Sequence, residues 1–194
     1  SFVSVNAAEG YGVDDLMDDD VAVQDMTDAE LQNTTDFRGY ITKIEATGTE
    51  FKTDQKESYR SDIKINFEVK ETSKNQLTGD KYAYRIDLPE NLGLDSRYMD
   101  KLLNTELSIE GENSGEGNYR FVKNDNGTYA ILLKFNQSYL NRTTDVTGHI
   151  KFWGEIGSEF GQKDGSVEVE FSDKKTLTIP KDDITYPKDK TNAY

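Results

Sequence analysis

The side chains that most often carry enzyme chemistry are scarce in this chain. It contains a single histidine, His149, and no cysteine. A thiol nucleophile, a thiolate metal site and a histidine metal cluster are therefore excluded. His149 lies opposite Ile150 and Phe152 in an alternating stretch, and the neighbouring sequence offers no Ser-His-acid arrangement. We interpret it as an ordinary exposed histidine, and the sequence predicts no catalytic residue, cofactor or metal.

The same stretch carries the only tryptophan of the chain, Trp153. Strand alternation over residues 147–156 places Trp153 on the polar face together with His149 and Lys151. An outward tryptophan is either covered by a loop or helix, the commoner outcome, or serves as a platform for a peptide or a sugar. We take Trp153, His149 and Lys151 as the candidate ligand-binding residues.

The distribution of charge argues against two classes of partner. The net charge is -14, from 37 acids and 23 bases. Residues 1–37 hold ten of the acids and no Lys or Arg, so the rest of the chain has 37 − 10 = 27 acids against 23 bases. Nucleic-acid phosphates and anionic membrane surfaces both require clustered Lys and Arg. Neither is predicted as a partner, and no apolar run approaches the length of a membrane span.

The acidic segment is interpreted as a leader, residues 1–36. The sequence Thr27-Asp28-Ala29-Glu30 has the spacing of a capping box, which predicts a short helix from about Asp28 to Gln32. Asp18-Asp19-Asp20 lacks the alternating oxygens and the glycine of a calcium loop. The small residues near Ala7 resemble the end of a secretory signal.

The strands, including those that carry the candidate residues, are predicted from the alternation of apolar and polar residues. The clearest is residues 61–70, in which Ile63, Ile65, Phe67 and Val69 face inwards. Further strands are predicted at residues 40–46, 107–109, 119–122, 128–135, 147–156, 167–171 and 177–179, with a short helix at 96–103. A hairpin is predicted at Asn126-Gly127, between two alternating runs.

A further strand is predicted between the Gly79-Asp80 turn and Pro89. Its alternation places Tyr82, Tyr84, Ile86 and Leu88 on one face, and proline ends it because proline cannot donate to a ladder.

This pattern predicts an all-β fold: an antiparallel β-sandwich of eight or nine short strands, with Ig-like or jelly-roll topology. We divide the chain into the acidic leader, residues 1–36, the sandwich domain, residues 37–180, and a proline-containing linker to a following domain, residues 181–194.

The order of elements resembles the N-terminal Ig-like subdomain of Gram-positive cell-wall-anchored adhesins of the collagen-adhesin type. The resemblance covers about residues 38–180. It rests on the alternating strand DIKINFEV, on Leu77-Thr78-Gly79-Asp80 with a strand ending in Leu-Pro, and on three later segments: the Gly-led strand 117–122, the run TYAILLKF, and Asp145-Val146-Thr147-Gly148 with Ile150-Lys151-Phe152.

The resemblance implies a secreted, non-catalytic binding module on the cell surface or cell wall of a Gram-positive bacterium. Its partner would be a host extracellular matrix protein, often collagen or fibrinogen in that family, or a cell-surface glycan. Much of the binding surface in the family lies on this subdomain or between it and the next, so further adhesin domains are expected in the same chain. No individual contact residue carries over.

An internal isopeptide crosslink, found in some domains of such surface proteins, requires an inward lysine. Lys43, Lys64 and Lys151 fall in outward phase, so we predict no crosslink.

Ligand binding could use sheet faces, loops or an exposed edge strand. Two other functions remain as alternatives: a structural stalk or spacer domain, and a carbohydrate-binding module with Trp153 as a stacking platform.

Overall fold

The computed structural model describes residues 21–22, 26–47, 58–70, 77–88, 90, 92–111, 115–157, 167–172 and 175–179. The predictions for residues 1–20, which include Asp18-Asp19-Asp20 and the signal-like start, and for the linker 181–194 lie outside these residues. None of the described helices is long and apolar enough to cross a membrane.

The described chain is mostly β. The strands are β1 (Val21–Ala22), β2 (Thr35–Asp36), β3 (Lys43–Thr47), β4 (Ser58–Lys70), β5 (Tyr84–Asp87), β6 (Gly93–Leu94), β7 (Thr105–Ser108), β8 (Gly117–Lys123), β9 (Tyr129–Phe135), β10 (Asp145–Gly157), β11 (Val167–Ser172) and β12 (Lys175–Ile179). The helices are α1 (Asp28–Gln32), α2 (Met99–Asn104) and α3 (Gln137–Leu140), with 3-10 turns at Phe37–Gly39 and Ser96–Tyr98.

The strands form two main sheets and a hairpin. One sheet has six strands in the order β1-β7-β8-β9-β5-β2, and the other has four in the order β3-β4-β10-β6; β11 pairs with β12. The pairing between strands is antiparallel except for β2 and β5, which run parallel through Thr35↔Tyr84 and Asp36↔Arg85. The prediction of a purely antiparallel sandwich is therefore wrong at this edge, because the segment after α1 enters the sheet in the same direction as β5.

The two main sheets pack against each other around one hydrophobic core. Phe121 of β8 meets Phe152 of β10 with ring centroids 5.7 Å apart, and Phe67 of β4 meets Phe135 of β9 at 6.4 Å. Phe37, from the 3-10 turn after β2, is fully buried, with its ring centroid 5.4 Å from that of Phe67 and 5.6 Å from that of Phe135. Nine of the described strands have four or more residues. This arrangement is consistent with the predicted β-sandwich.

Alternation holds along the long strands. In β4 the inward residues Ile63, Ile65, Phe67 and Val69 are all buried, as predicted. The hairpin at Asn126-Gly127 is also confirmed: it joins β8 to β9, and Gly127 has a φ of 88° that suits glycine.

The Gly79-Asp80 turn is tied to the end of β9 and the start of α3. The amide of Asp80 donates to the carbonyl of Phe135 at 2.6 Å, and the Asp80 carboxylate accepts from the amide of Gln137 at 2.9 Å. Asp80 has a φ of 65°, a conformation that aspartate tolerates better than most residues. A Cβ on Gly79 would lie 2.7 Å from Gln137 Cα, so glycine permits this close approach.

Tyr82, in the predicted strand 82–88, lies on the opposite face of the sheet from the one predicted. Tyr84, Ile86 and Leu88 are buried in the main core as predicted. Tyr82, however, packs on the opposite side of the sheet, against the cluster that contains Leu132. Strand β5 begins only at Tyr84, so the alternation does not extend back to residue 82.

The described part of the acidic segment joins the sheet. The capping box is confirmed: the Thr27 hydroxyl accepts from the amide of Glu30 at 3.2 Å, and the Glu30 carboxylate accepts from the amide of Thr27 at 3.1 Å. The helix spans Asp28–Gln32, as predicted. Leu31 and Met26 pack on the outer side of the six-stranded sheet, so this segment covers part of that face.

Two local predictions differ from the structure. Tyr40 does not start a strand, because it ends the 3-10 turn Phe37–Gly39, and β3 begins at Lys43. The polar connection after β9 contains the single helical turn α3, with Tyr139 and Leu140 buried.

Candidate functional site

The outer face of the four-stranded sheet is formed by the side chains that alternate with the core residues of β4 and β10. In-register pairing places six pairs of such residues opposite each other. Along the strands they are Lys70–Asp145, Glu68–Thr147, Asn66–His149, Lys64–Lys151, Asp62–Trp153 and Arg60–Glu155. We refer to these twelve residues as the β4–β10 face.

The three candidate residues lie together on this face. His149, Lys151 and Trp153 occupy successive outward positions of β10, spaced about 6.8 Å apart by strand geometry. All three are half-buried, whereas Ile150 and Phe152 between them are fully buried. The predicted phase is therefore correct, but the prediction of an exposed histidine is wrong, because His149 is half-buried. The role of these residues in ligand binding stays a prediction.

A groove crosses one end of the face. Its volume is about 430 Å³, and it contains residues from three strands: Lys43 and Glu45 from β3, Asn66 and Glu68 from β4, and Thr147 and His149 from β10. Charged, amide, hydroxyl and imidazole groups converge there. Such a groove can donate and accept several hydrogen bonds from one ligand.

His149 is held in its neutral form on this face. Burial, together with the nearby Lys64 and Lys151, lowers the pKa of His149 from 6.5 to about 4. At neutral pH its imidazole therefore presents one donor and one acceptor and no charge. This agrees with a hydrogen-bonding role better than with general-base catalysis, which favours a pKa near the working pH.

We expect the only histidine of the chain to titrate near pH 4 in a proton NMR experiment. In the unfolded chain the imidazole takes up its proton at a higher pH than in the folded chain. Its contribution to stability is therefore complete above about pH 6.5 and is lost as the pH falls towards 4.

The comparison of wild type with His149→Gln isolates the contribution of the imidazole. Burial raises the pKa of Asp62 and of Glu110 in the folded chain, which acts in the opposite direction over acidic pH. Subtracting the variant's pH–stability curve from that of the wild type removes these carboxyl contributions. A histidine that titrates at or above pH 6.5 would contradict the placement of His149.

Two lysines face each other at the centre of the face. Lys64 and Lys151 are a direct cross-strand pair, and neither makes an ion pair within 4 Å in the described residues. Burial and the Lys64 charge lower the pKa of Lys151, while the charges of Glu110 and Asp62 oppose this shift. Lys43, Lys64 and Lys151 all lie on the outer side of the sheet, in the predicted phase; the absence of an isopeptide crosslink stays a prediction.

Tyr98 covers part of Trp153. It comes from the 3-10 turn Ser96–Tyr98, and its ring centroid is 4.3 Å from that of Trp153 at an interplanar angle of 43°. The guanidinium of Arg97 lies 5.2 Å from the Tyr98 ring. The structure therefore shows Trp153 half-buried and in contact with a residue from a neighbouring turn; its use as a binding platform stays a prediction.

A buried carboxylate fixes the turn that carries Tyr98. Asp95 is 0% exposed, and its carboxylate lies 2.7 Å from Arg97 Nη2 and 3.3 Å from Arg60 Nε. Arg60 also pairs with Glu155 at 2.9 Å. Since the amide of Asp95 donates to the carbonyl of Trp153 at 3.0 Å, this network holds the turn against β10.

On the side of β10 that faces away from β4, backbone groups of the strand are hydrogen-bonded by residues from other elements. The Tyr119 hydroxyl donates to the carbonyl of Lys151 at 2.9 Å and accepts from its amide at 3.1 Å. The backbone of Glu110 exchanges both hydrogen bonds with His149, at 2.7 and 3.1 Å. β6 pairs with β10 beyond Trp153. An added peptide strand would find these backbone groups occupied, so binding to the face is favoured over pairing along this edge.

The sequence pattern identified some residues of the face and missed others. Lys64 and Asp62 follow from the alternation of the DIKINFEV strand once β4 is placed beside β10. Tyr98 lies in a turn without periodicity, and no local signal places it on Trp153. Glu110 comes next to His149 only because the chain after β7 crosses to the other sheet.

Among the described residues, no group of three or more His, Cys, Asp or Glu side chains is placed to hold a metal ion. No family model, curated protein or solved structure shows significant similarity to this chain.

Proposed function

We propose that this chain is a non-catalytic binding module of a bacterial surface adhesin, and that it recognises a host matrix or cell-surface macromolecule through the β4–β10 face. One observation carries the proposal. The face of the four-stranded sheet is polar, grooved and accessible, whereas helix α1 packs on the outer side of the six-stranded sheet. The β4–β10 face also carries the three predicted binding residues, which supports it as the binding surface.

The resemblance of the strand order to the collagen-adhesin type supports the same function. In this proposal the sandwich has Ig-like or jelly-roll topology. The nested antiparallel pairs, β4 with β10 and β5 with β9, support it, since such nesting is typical of the Greek-key connections that both topologies contain. The protein would be secreted to a Gram-positive cell wall, with further adhesin domains in the same chain.

We expect the purified chain to bind at least one member of a panel comprising immobilised collagen, immobilised fibrinogen and intact mammalian cells. Thr147→Arg places a long cationic side chain in the groove without touching the core, since Thr147 is half-buried on the outer side. We expect it to reduce binding by about tenfold or more, the effect of obstructing a central contact. The measurement is surface plasmon resonance for the proteins and flow cytometry for the cells.

Ser138→Arg is the matched control, because Ser138 lies on α3, outside the face, and is not part of the core. It adds the same side chain and should leave binding unchanged. Equal losses in the two variants, or binding to no member of the panel, would refute the proposal. A chain that binds nothing would instead fit the alternative of a stalk or spacer domain.

A further inference from the structure

The charge pattern across β4 and β10 is complementary at its ends and repulsive at its centre. Lys70 faces Asp145 at one end, and Arg60 forms an ion pair with Glu155 at the other. Between them, Lys64 faces Lys151, the only like-charged pair among the six on this face. Like charges directly opposite each other in a sheet destabilise it. An anion placed between the two ammonium groups would reverse this cost.

The neighbouring pairs differ in chemistry on the two sides of the lysines. On one side lie Asn66 and His149, both uncharged at neutral pH, which offer amide and imidazole groups to hydroxyls. On the other side lies Trp153, which is half-buried. An aromatic face, a cationic pair and neutral hydrogen-bonding groups thus follow one another along about 14 Å of strand.

We propose that the β4–β10 face holds an acidic sugar residue of a glycan chain, with its carboxylate or sulfate between Lys64 and Lys151 and a neighbouring sugar ring against Trp153. This rests on the proposed function, which it deepens by naming the ligand class. The aromatic ring binds the apolar face of a sugar, and charge-assisted hydrogen bonds hold the anion. Asn66 and His149 bind hydroxyl groups of the next sugar residue in the glycan.

The carboxylates near the lysines do not occupy this position. Asp62 and Glu110 are the acids that act on Lys151, yet neither reaches ion-pair distance of it in the described structure. Glu110 is buried, and its Oε1 atom has no hydrogen-bond partner there. Among the described residues, no carboxylate therefore forms an ion pair with Lys64 or Lys151, and an anionic ligand could supply that charge.

The test is titration of the full chain with three hexasaccharides: heparin-derived, hyaluronan-derived and the neutral chitohexaose. Binding is followed by Trp153 fluorescence and by calorimetry. We expect the two acidic probes to bind and to perturb the tryptophan, and chitohexaose to bind at least about tenfold more weakly, since a hydrogen bond to a charged group contributes that much or more. The two acidic probes separate sulfate from carboxylate recognition.

The variants Lys64→Gln and Lys151→Gln should each weaken binding of the acidic probes by about tenfold or more. Lys70→Gln is the matched control, on the same strand and face but three pairs away, and should change affinity by less than about twofold. Removal of one like charge should leave the melting temperature unchanged or raised, which separates lost binding from lost folding.

Several outcomes would overturn the inference: equal binding of chitohexaose, equal losses in Lys70→Gln, or no binding of either acidic probe. If neither acidic probe binds, but the chain binds a member of the panel of collagen, fibrinogen and cells and Thr147→Arg weakens that binding, the proposed function stands with a different ligand. If the chain binds neither the acidic probes nor any member of the panel, both proposals are refuted.

Discussion

Gly117→Ala should be among the most destabilising single substitutions in this chain. Gly117 begins β8 opposite Phe135, with a φ of 156°. A Cβ at this position would lie 2.0 Å from the carbonyl oxygen of Lys134 and 2.9 Å from Phe135 Cα. Both neighbours are backbone atoms of the paired strand, so no side-chain rotation relieves the overlap. We expect a loss of at least about 3 kcal/mol in the free energy of unfolding.

Gly127→Ala is the control for backbone conformation. Gly127 also has a positive φ, 88°, but a Cβ there would meet no atom within 4 Å. Its cost should be about 1 kcal/mol, the strain of an alanine in the left-handed region. Chemical denaturation of both variants measures the difference. Similar losses would show that conformation, and not the close approach of β9, requires glycine at residue 117.

Tyr119→Phe should be nearly as destabilising as Gly117→Ala. Tyr119 is fully buried, and its hydroxyl satisfies both the amide and the carbonyl of Lys151 across the sandwich. Phenylalanine keeps the ring and its edge contact with Phe121, 5.8 Å away. The variant therefore removes two hydrogen bonds and leaves two backbone groups of β10 without them. We expect a loss of about 2–3 kcal/mol in the free energy of unfolding.

Tyr129→Phe is the matched control, because Tyr129 is partly buried against the same core and its hydroxyl makes no hydrogen bond in the described structure. It should change stability by less than about 0.5 kcal/mol. Hydrogen exchange adds a local measurement: the amide of Lys151 should exchange faster in Tyr119→Phe than in wild type or Tyr129→Phe. An unchanged exchange rate would contradict the role of the hydroxyl in closing this edge.

The closed edge bears on the proposed function. With the backbone of Lys151 held by Tyr119 and that of His149 held by Glu110, β10 presents its side chains to a ligand and not its backbone. In the proposed binding mode, recognition depends on the chemistry of Lys64, Lys151 and Trp153, which substitution can test one residue at a time. Tyr119→Phe would loosen the strand that carries two of these residues without changing any of them.

The amino-acid sequence by itself determined the elements whose signals are local. Alternation specified which residues of β4 and β10 face the core, because side chains point to opposite sides of a strand at every step. Asn126-Gly127 specified the hairpin, and Thr27 with Glu30 specified the start of α1, because both depend on contacts within four residues. The positions of His149, Lys151 and Trp153 on one face followed from the same alternation.

The tertiary structure decided the features that depend on which strands become neighbours. Tyr119 and Lys151 are 32 residues apart, and only the packing of the two sheets brings them together. The opposition of Lys64 and Lys151 likewise requires the pairing of β4 with β10, and Tyr98 reaches Trp153 only because Asp95 ties its turn to β10. Tyr82 faces the other side because β5 begins two residues later. Local periodicity carries no information about such contacts, since they depend on strand order and register.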